Sequence, residues 1–147
     1  MKGALEYLFN KSTELEIHHH LSSCDVEFVQ ALSERADIKD YSKKIFSKAE
    51  RFEAWADGVL VGLVAAYCND PIKSMAYITS VSVLSDRQGK GIAAHLMRQC
   101  IEHAKSMGMH CVSLEVERGN VPAIRLYEKC GFVINDTGDS YIAMIFF

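Results

Sequence analysis

Between Tyr77 and Val116 the apolar period of the chain changes from two to 3.6 and back to two, and few folds allow that alternation. Tyr77, Thr79, Val81 and Val83 alternate with Ile78, Ser80 and Ser82, a strand pattern that ends near Leu84. Ala93, Leu96, Met97, Cys100, Ile101 and Ala104 then share one face of a helix that starts at Gly91. Gly108 stands where a left-handed residue closes such a helix. Residues 111–116, Cys-Val-Ser-Leu-Glu-Val, are strand-like again. Strand, helix, strand in this order is a βαβ crossover, whose strands run parallel and whose hand is right. The rest of the chain has to be arranged around that unit.

Upstream, residues 52–55 and 59–67 flank Asp57-Gly58, a pair that favours the positive backbone angles of a hairpin turn. Residues 5–9 predict a first strand. Thr13 and Glu16 have capping-box spacing, which predicts a helix to Ser22. Residues 24–36 are mixed and read as loop or short helix, and a further helix is expected after Asp37, with Ile38, Tyr41, Ile45 and Ala49 on one face. Asn69-Asp70-Pro71 breaks the chain before the βαβ unit. Downstream, Asn120 is placed to cap a short helix that has Pro122 in its first turn and ends before Gly131. Residues 132–134 and 141–147 predict two strands across a polar turn at 135–140. The last run is apolar on both faces and belongs inside the sheet. Hairpins around one parallel unit predict a mixed α/β sheet. The length of 147 residues predicts a single domain over 1–147, without repeats or linkers.

Composition excludes several classes of function. The net charge of −3 argues against a nucleic-acid partner, since binders of the phosphate backbone are basic. No apolar run reaches the roughly 18 residues of a membrane span, so no membrane partner is expected. The amino-terminal residues lack the apolar core of a signal peptide. The five cysteines, Cys24, Cys68, Cys100, Cys111 and Cys130, are scattered and form no C-x-x-C pair. They read as small buried hydrophobes in a reducing, cytoplasmic compartment. His18-His19-His20 falls on a helix, where consecutive side chains point in different directions, so no metal is expected there.

Two motifs carry chemistry. Gln88-Gly89-Lys90-Gly91-Ile92-Ala93 joins the first strand of the βαβ unit to its helix. Gly89 and Gly91 let the backbone turn tightly and approach a ligand. The helix that starts there directs free N–H groups and a positive dipole end into the turn, with Arg87 and Lys90 alongside. This is an anion site. It is neither a Walker A loop nor a dinucleotide fingerprint, because position 94 is alanine and no G-K-[ST] follows the first glycine. Asn120, Ala123, Ile124 and Tyr127 recur at i, i+3, i+4, i+7, which puts an amide and a phenol on one helical face just after the second strand. Both motifs converge at the carboxyl ends of adjacent parallel strands, where ligands bind in such sheets. An anion site beside an amide and a phenol suits a phosphorylated, thioester-bearing cofactor such as acyl-CoA.

Residues 77–132 resemble the acyl-CoA binding core of the GNAT superfamily of N-acyltransferases. The family turn, Q/R-x-x-G-x-G/A, is met by residues 88–93, and its second motif by Asn120, Ala123, Tyr127, Gly131 and Phe132 in order and spacing. The resemblance implies a GNAT fold: a mixed, mostly antiparallel sheet of about six or seven strands, helices on both faces and a splayed parallel strand pair. It implies acetyl-CoA as co-substrate and no metal. Gln88, Gly89, Lys90, Gly91, Ile92 and Ala93 would hold the pyrophosphate. Val81 and Val83, at a bulge in the fourth strand, would pair with the pantetheine arm, and Asn120 would hydrogen-bond that arm. Tyr127 would protonate the departing thiolate, a step that calls for a modest downward shift of its pKa. For the base that deprotonates the amine, Glu115, Asp70 and a water relay stay open. Phe28, Glu34 and Arg35 fall where the family's acceptor-side segment lies.

The expected partner is a small-molecule primary amine; a homodimer stays open. A faint similarity of residues 32–49 and 67–70 to bacterial acetyltransferases of cell-surface glycan synthesis favours an amino sugar. A non-catalytic acyl-CoA sensor and a peptide or protein N-terminal acetyltransferase are the alternatives.

Overall fold

A computed structural model describes residues 4–68 and 74–147. The elements follow in the order β1 (Glu6–Phe9), α1 (Glu14–Ser22), α2 (Val26–Arg35), α3 (Ile38–Lys48), β2 (Glu50–Ala56), β3 (Val59–Tyr67) and β4 (Met75–Val83). Then come α4 (Ile92–Ser106), β5 (Cys111–Glu117), α5 (Val121–Lys129), β6 (Val133–Thr137) and β7 (Tyr141–Phe146). A 3₁₀ turn, Ser85–Arg87, precedes α4. The seven strands form one sheet in the order β1-β2-β3-β4-β5-β7-β6, antiparallel throughout except between β4 and β5.

Local chemistry accounts for most boundaries. Thr13 and Glu16 form the reciprocal capping box at the start of α1. Asp25 and Asp37 cap α2 and α3 by accepting from the N–H groups of Phe28 and Asp40. The mixed segment 24–36 thus holds helix α2, which buries only Leu32 fully. Asp57 and Gly58 both take positive φ, +52° and +73°, and turn β2 into β3. β7 lies between β5 and β6, inside the sheet as its two-sided apolar run requires.

The two faces of the sheet carry separate cores. Val64, Ala66, Ile78, Val112, Leu114 and Met144 pack with α4 and with Tyr127 of α5. Leu63 and Ala65, alternating with them along β3, pack with Ile17, Leu21, Leu32 and Ile45 of α1, α2 and α3. At the start of α4, Ile92 presses against Gly62 of β3: a Cβ there would meet Ile92 Cγ2 at 2.7 Å and Ala54 Cβ at 3.3 Å. Gly62 therefore sets how closely the helix and the turn before it sit on the sheet.

The parallel pair is short. Met75, Ala76 and Tyr77 pair with Cys111, Val112 and Ser113, and the two strands then part, although β4 continues to Val83 and β5 to Glu117. β4 follows β3 instead, through a bulge: Ala65 faces Ser80 and Ala66 faces Ile78, leaving Thr79 as the extra residue. The bulge expected at Val81 and Val83 lies before them. Those two residues pair in regular register with Val64 and Gly62.

Replacing Gly62 by alanine should lower stability by about 1–3 kcal/mol through overpacking against Ile92. Urea denaturation would read this as a lower midpoint at unchanged slope. A midpoint equal to that of the parent chain would show that α4 is not held at the distance described.

Candidate active site

Where β4 and β5 part, a cleft of about 1050 Å³ runs through the sheet. α2 and α3 reach it from one face, and α4 and α5 from the other. Val81, Val83, Gln88, Gly89, Gly91, Ile92, Ala93, Glu115, Asn120 and Tyr127 all line it. Lys90 is exposed and lies outside the lining. Asp70 falls outside the described residues.

One end of the cleft is the turn. Gly89 and Gly91 hold φ of +76° and +79°, a region that side chains with a Cβ rarely enter. Gly91 is the N-cap of α4, and no side chain caps that helix. Its first N–H groups therefore have neither an intrahelical partner nor a side-chain acceptor, which suits an anion such as a pyrophosphate. The Gln88 side chain does not face the turn. Its amide nitrogen donates to the Val83 carbonyl at 3.2 Å and to Asp25 Oδ2 at 3.5 Å, tying the turn to β4 and α2.

The middle of the cleft is built from the parted strands and α5. Asn120 caps α5, its Oδ1 accepting from Ala123 N at 3.3 Å, so only its amide N–H₂ is left to face a ligand. Tyr127 is buried and tilted against Phe132 at 6.2 Å between ring centroids. Burial, helped by Cys130, pushes its phenol up to about 12. The shift is opposite to the expected one, because α5 seats the ring in the apolar core rather than in the field of a helix end. The phenol is a stored proton that stays on the ring at neutral pH.

On the opposite wall, the Tyr41 hydroxyl donates to the Thr79 carbonyl at 2.6 Å and lies 2.8 Å from Thr79 Oγ1. The bulge thus has its own clamp on α3. The sequence pattern placed Tyr41 only on an apolar helix face; pairing it with Thr79 requires the fold. Phe28 and Arg35 of α2 line the cleft, while Glu34 does not. Glu115 is exposed on β5, on the face turned towards α2.

Beneath this wall lies a polar contact with no sequence signal beyond the histidine run. His20 is 1 % exposed. Its Nδ1 lies 2.7 Å from the Leu60 carbonyl, which can only accept, so Nδ1 carries the proton. Nε2 accepts from the Ser82 hydroxyl at 2.9 Å. Burial lowers the pKa of His20 from 6.5 to about 4. Cys24 at the cleft wall donates its thiol to the His20 carbonyl, and burial with nearby Asp25 pushes that thiol up to about 12, so it is no nucleophile. Among the described residues, no group of three or more His, Cys, Asp or Glu side chains gathers as a metal site would need.

The site is thus a gap between parted parallel strands with an uncapped helix start at one end. Residues 14–132 match the sequence profile of the Acetyltransferase (GNAT) family, and the chain belongs to that family. It is 28% identical over 96 residues to the N-acetyltransferase YvbK of Bacillus subtilis, a match covering 65% of this chain and 61% of that protein. It is 29% identical over 134 residues to the N-alpha-acetyltransferase MAK3 of Arabidopsis thaliana, covering 90% of this chain and 68% of that one. The fold is shared with the PaiA N-acetyltransferase of Thermoplasma acidophilum, solved in complex with coenzyme A: the TM-score is 0.74 at 17% identity, over 97% of this chain and 98% of the other. The chain thus spans less than two thirds of the length of YvbK.

His20 yields a pH prediction. Its folded pKa is depressed, so the stability it contributes is complete above pH 6.5 and is lost as pH falls towards 4. The loss attributable to it is at most about 3 kcal/mol. In proton NMR the His20 ring should stay neutral through pH 5. A His20 midpoint near 6.5 would contradict the contact described.

Proposed function

We propose that this chain is an N-acetyltransferase that moves the acetyl group of acetyl-CoA to a primary amine by direct attack. The single observation that carries this reading is the uncapped, positive-φ turn at Gly91, set at the end of a cleft opened by the parting of β4 and β5. The backbone amides of Gly89, Lys90, Gly91, Ile92 and Ala93 hold the pyrophosphate, with Gln88 bracing the turn. Backbone groups of Val81 and Val83, together with the Asn120 amide, hold the pantetheine arm.

The protein's part in the reaction is placement and proton management. Glu115 or a water takes the ammonium proton, leaving the nitrogen lone pair free to form a bond to the thioester carbonyl carbon. The carbon–sulfur bond breaks, Tyr127 gives its hydroxyl proton to the thiolate that leaves, and the second proton that the nitrogen sheds as the amide forms returns to the tyrosinate through water. With the phenol near 12 and a thiol near 8.5, that transfer is uphill in the free protein, so it requires the bound cofactor and the charge developing on sulfur to bring the two values together.

The acceptor is a small-molecule amine, towards an amino sugar on the sequence resemblance alone. The similarity to MAK3 supports a protein N-terminus as a second reading. A non-catalytic acyl-CoA sensor has one point in its favour, the lack of a carboxylate along β4. No helix among the described residues is long and apolar enough to cross a membrane. Free cysteines fit a reducing compartment, and we place the enzyme in the cytoplasm.

Thiol release from acetyl-CoA against a panel of amines tests this reading. Acceptor-dependent release supports it; tight acetyl-CoA binding with no release from any amine supports the sensor; no binding overturns both. Tyr127→Phe should reduce kcat by about 10²–10⁴ with KM for acetyl-CoA little changed. Unaltered turnover in that variant would remove the proton-donor role.

A further inference from the structure

We propose that the acceptor is an amine that also carries a carboxylate, an α-amino acid or a close analogue, held with its ammonium towards Glu115 and its carboxylate towards Arg35. This rests on the acetyltransferase reading; it keeps the small-molecule primary amine and sets an amino acid in place of the amino sugar that the sequence resemblance favours.

The cleft has two ends, and α2 spans the distance between them. Its N-cap, Asp25, touches Gln88 at the turn, and ten residues later, roughly 15 Å along the helix axis, its last turn presents Arg35. The pyrophosphate end and the Arg35 end are therefore opposite. Arg35 lines the cleft, and its charge bears on Tyr41, the residue whose hydroxyl meets the Thr79 bulge.

Glu115 faces the same end. Val112, Leu114 and Val116 point into the core with α4, so Ser113 and Glu115 point to the other side, towards α2. Ser113 is the partner of Tyr77, the last β4 residue to pair before the strands part. The Tyr77 phenol registers both charges: burial raises its pKa, Glu115 raises it further, and Arg35 opposes them. A guanidinium and a carboxylate thus flank the mouth of the strand gap.

They do not neutralise each other. Among the described residues, neither side chain makes an ion pair or a hydrogen bond; the buried ion pair of the molecule is Arg51 with Glu53, elsewhere. Two unpaired opposite charges on facing walls match a ligand that has both charges itself. A carboxylate can take the planar guanidinium in a two-pronged contact, which an uncharged hydroxyl cannot match. An amino sugar leaves Arg35 without a partner, and a diamine brings a second cation against it. Both are disfavoured by the charge that is already there.

The test compares kcat/KM across matched amines: amino acids, their carboxamides, the corresponding decarboxylated amines, an amino sugar, a diamine and a short peptide. We expect each amino acid to exceed its decarboxylated partner by tenfold or more. In Arg35→Gln that ratio should collapse towards one, chiefly through KM for the amine, and Arg35→Lys should restore part of it. Equal or better turnover of the decarboxylated amine, amino sugar, diamine or peptide overturns the inference while leaving the acetyltransferase reading intact. So does an unchanged ratio in Arg35→Gln. Calorimetric titration of amino acids into the protein saturated with CoA gives a readout without turnover, and no binding there also overturns it. Failure to bind acetyl-CoA at all brings down both.

Discussion

The parallel hydrogen bonding between β4 and β5 stops at Tyr77 and Ser113, and the rest of the site is arranged around that stop. Each strand leaves with its other neighbour. β4 stays on β3 through the Thr79 bulge, and β5 stays on β7 from Val112 to Glu117. A strand edge turned into a gap exposes backbone groups that must find partners, and an extended polar ligand arm is one such partner. The gap also lets helices on opposite faces reach one space. Tyr127 from the α4–α5 side and Arg35 from the α2 side would be separated by an unbroken sheet.

Holding two strands apart needs bracing, and the bracing is polar. The bulged Thr79 carbonyl accepts from Tyr41 on α3. Ser82, between Val81 and Val83, donates to His20 on α1, which in turn donates to β3 at Leu60. α1 is itself anchored at its start. Ser12 binds both Glu53 and Arg51 of β2, and Glu53 also accepts from Lys11 N and Trp55 Nε1. A buried pair of this kind adds little net stability, but losing one partner would leave a charge stranded. These contacts make two polar helix positions, His20 and Tyr41, into a fixed path for β4. Gly62 does the corresponding work on the other face by seating the first turn of α4.

Much of this was legible beforehand. The 3.6 period of α4, the Asp-Gly hairpin, the capping box at Thr13 and the two-sided apolar run of β7 all depend on neighbours in sequence or on burial class. Residues 24–36 read as loop or short helix, and Asp25 caps a helix over 26–35 that buries only Leu32 fully. Misplacements occurred where distant groups decided. β6 runs to Thr137, past the apolar stretch, although every one of its residues is exposed, because backbone pairing to β7 alone defines it. The bulge fell at Thr79 because its partner is a hydroxyl on α3, a contact that spans 38 positions. The Tyr127 shift had the wrong sign because its helix could be assigned from the sequence while the ring's apolar surroundings could not.

By itself, the sequence determined the order of elements, the parallel unit, and a glycine turn at a helix start joined to an amide and a phenol. These follow from periods, caps and glycines, which act over a few residues. The tertiary structure alone decided where β4 and β5 part, which faces of the sheet share the cleft, and that Arg35 and Glu115 line it with no ion-pair partner among the described residues. Such juxtapositions depend on strand pairing and helix seating between segments far apart in the chain, and no local pattern encodes the charge or solvent a side chain will meet there.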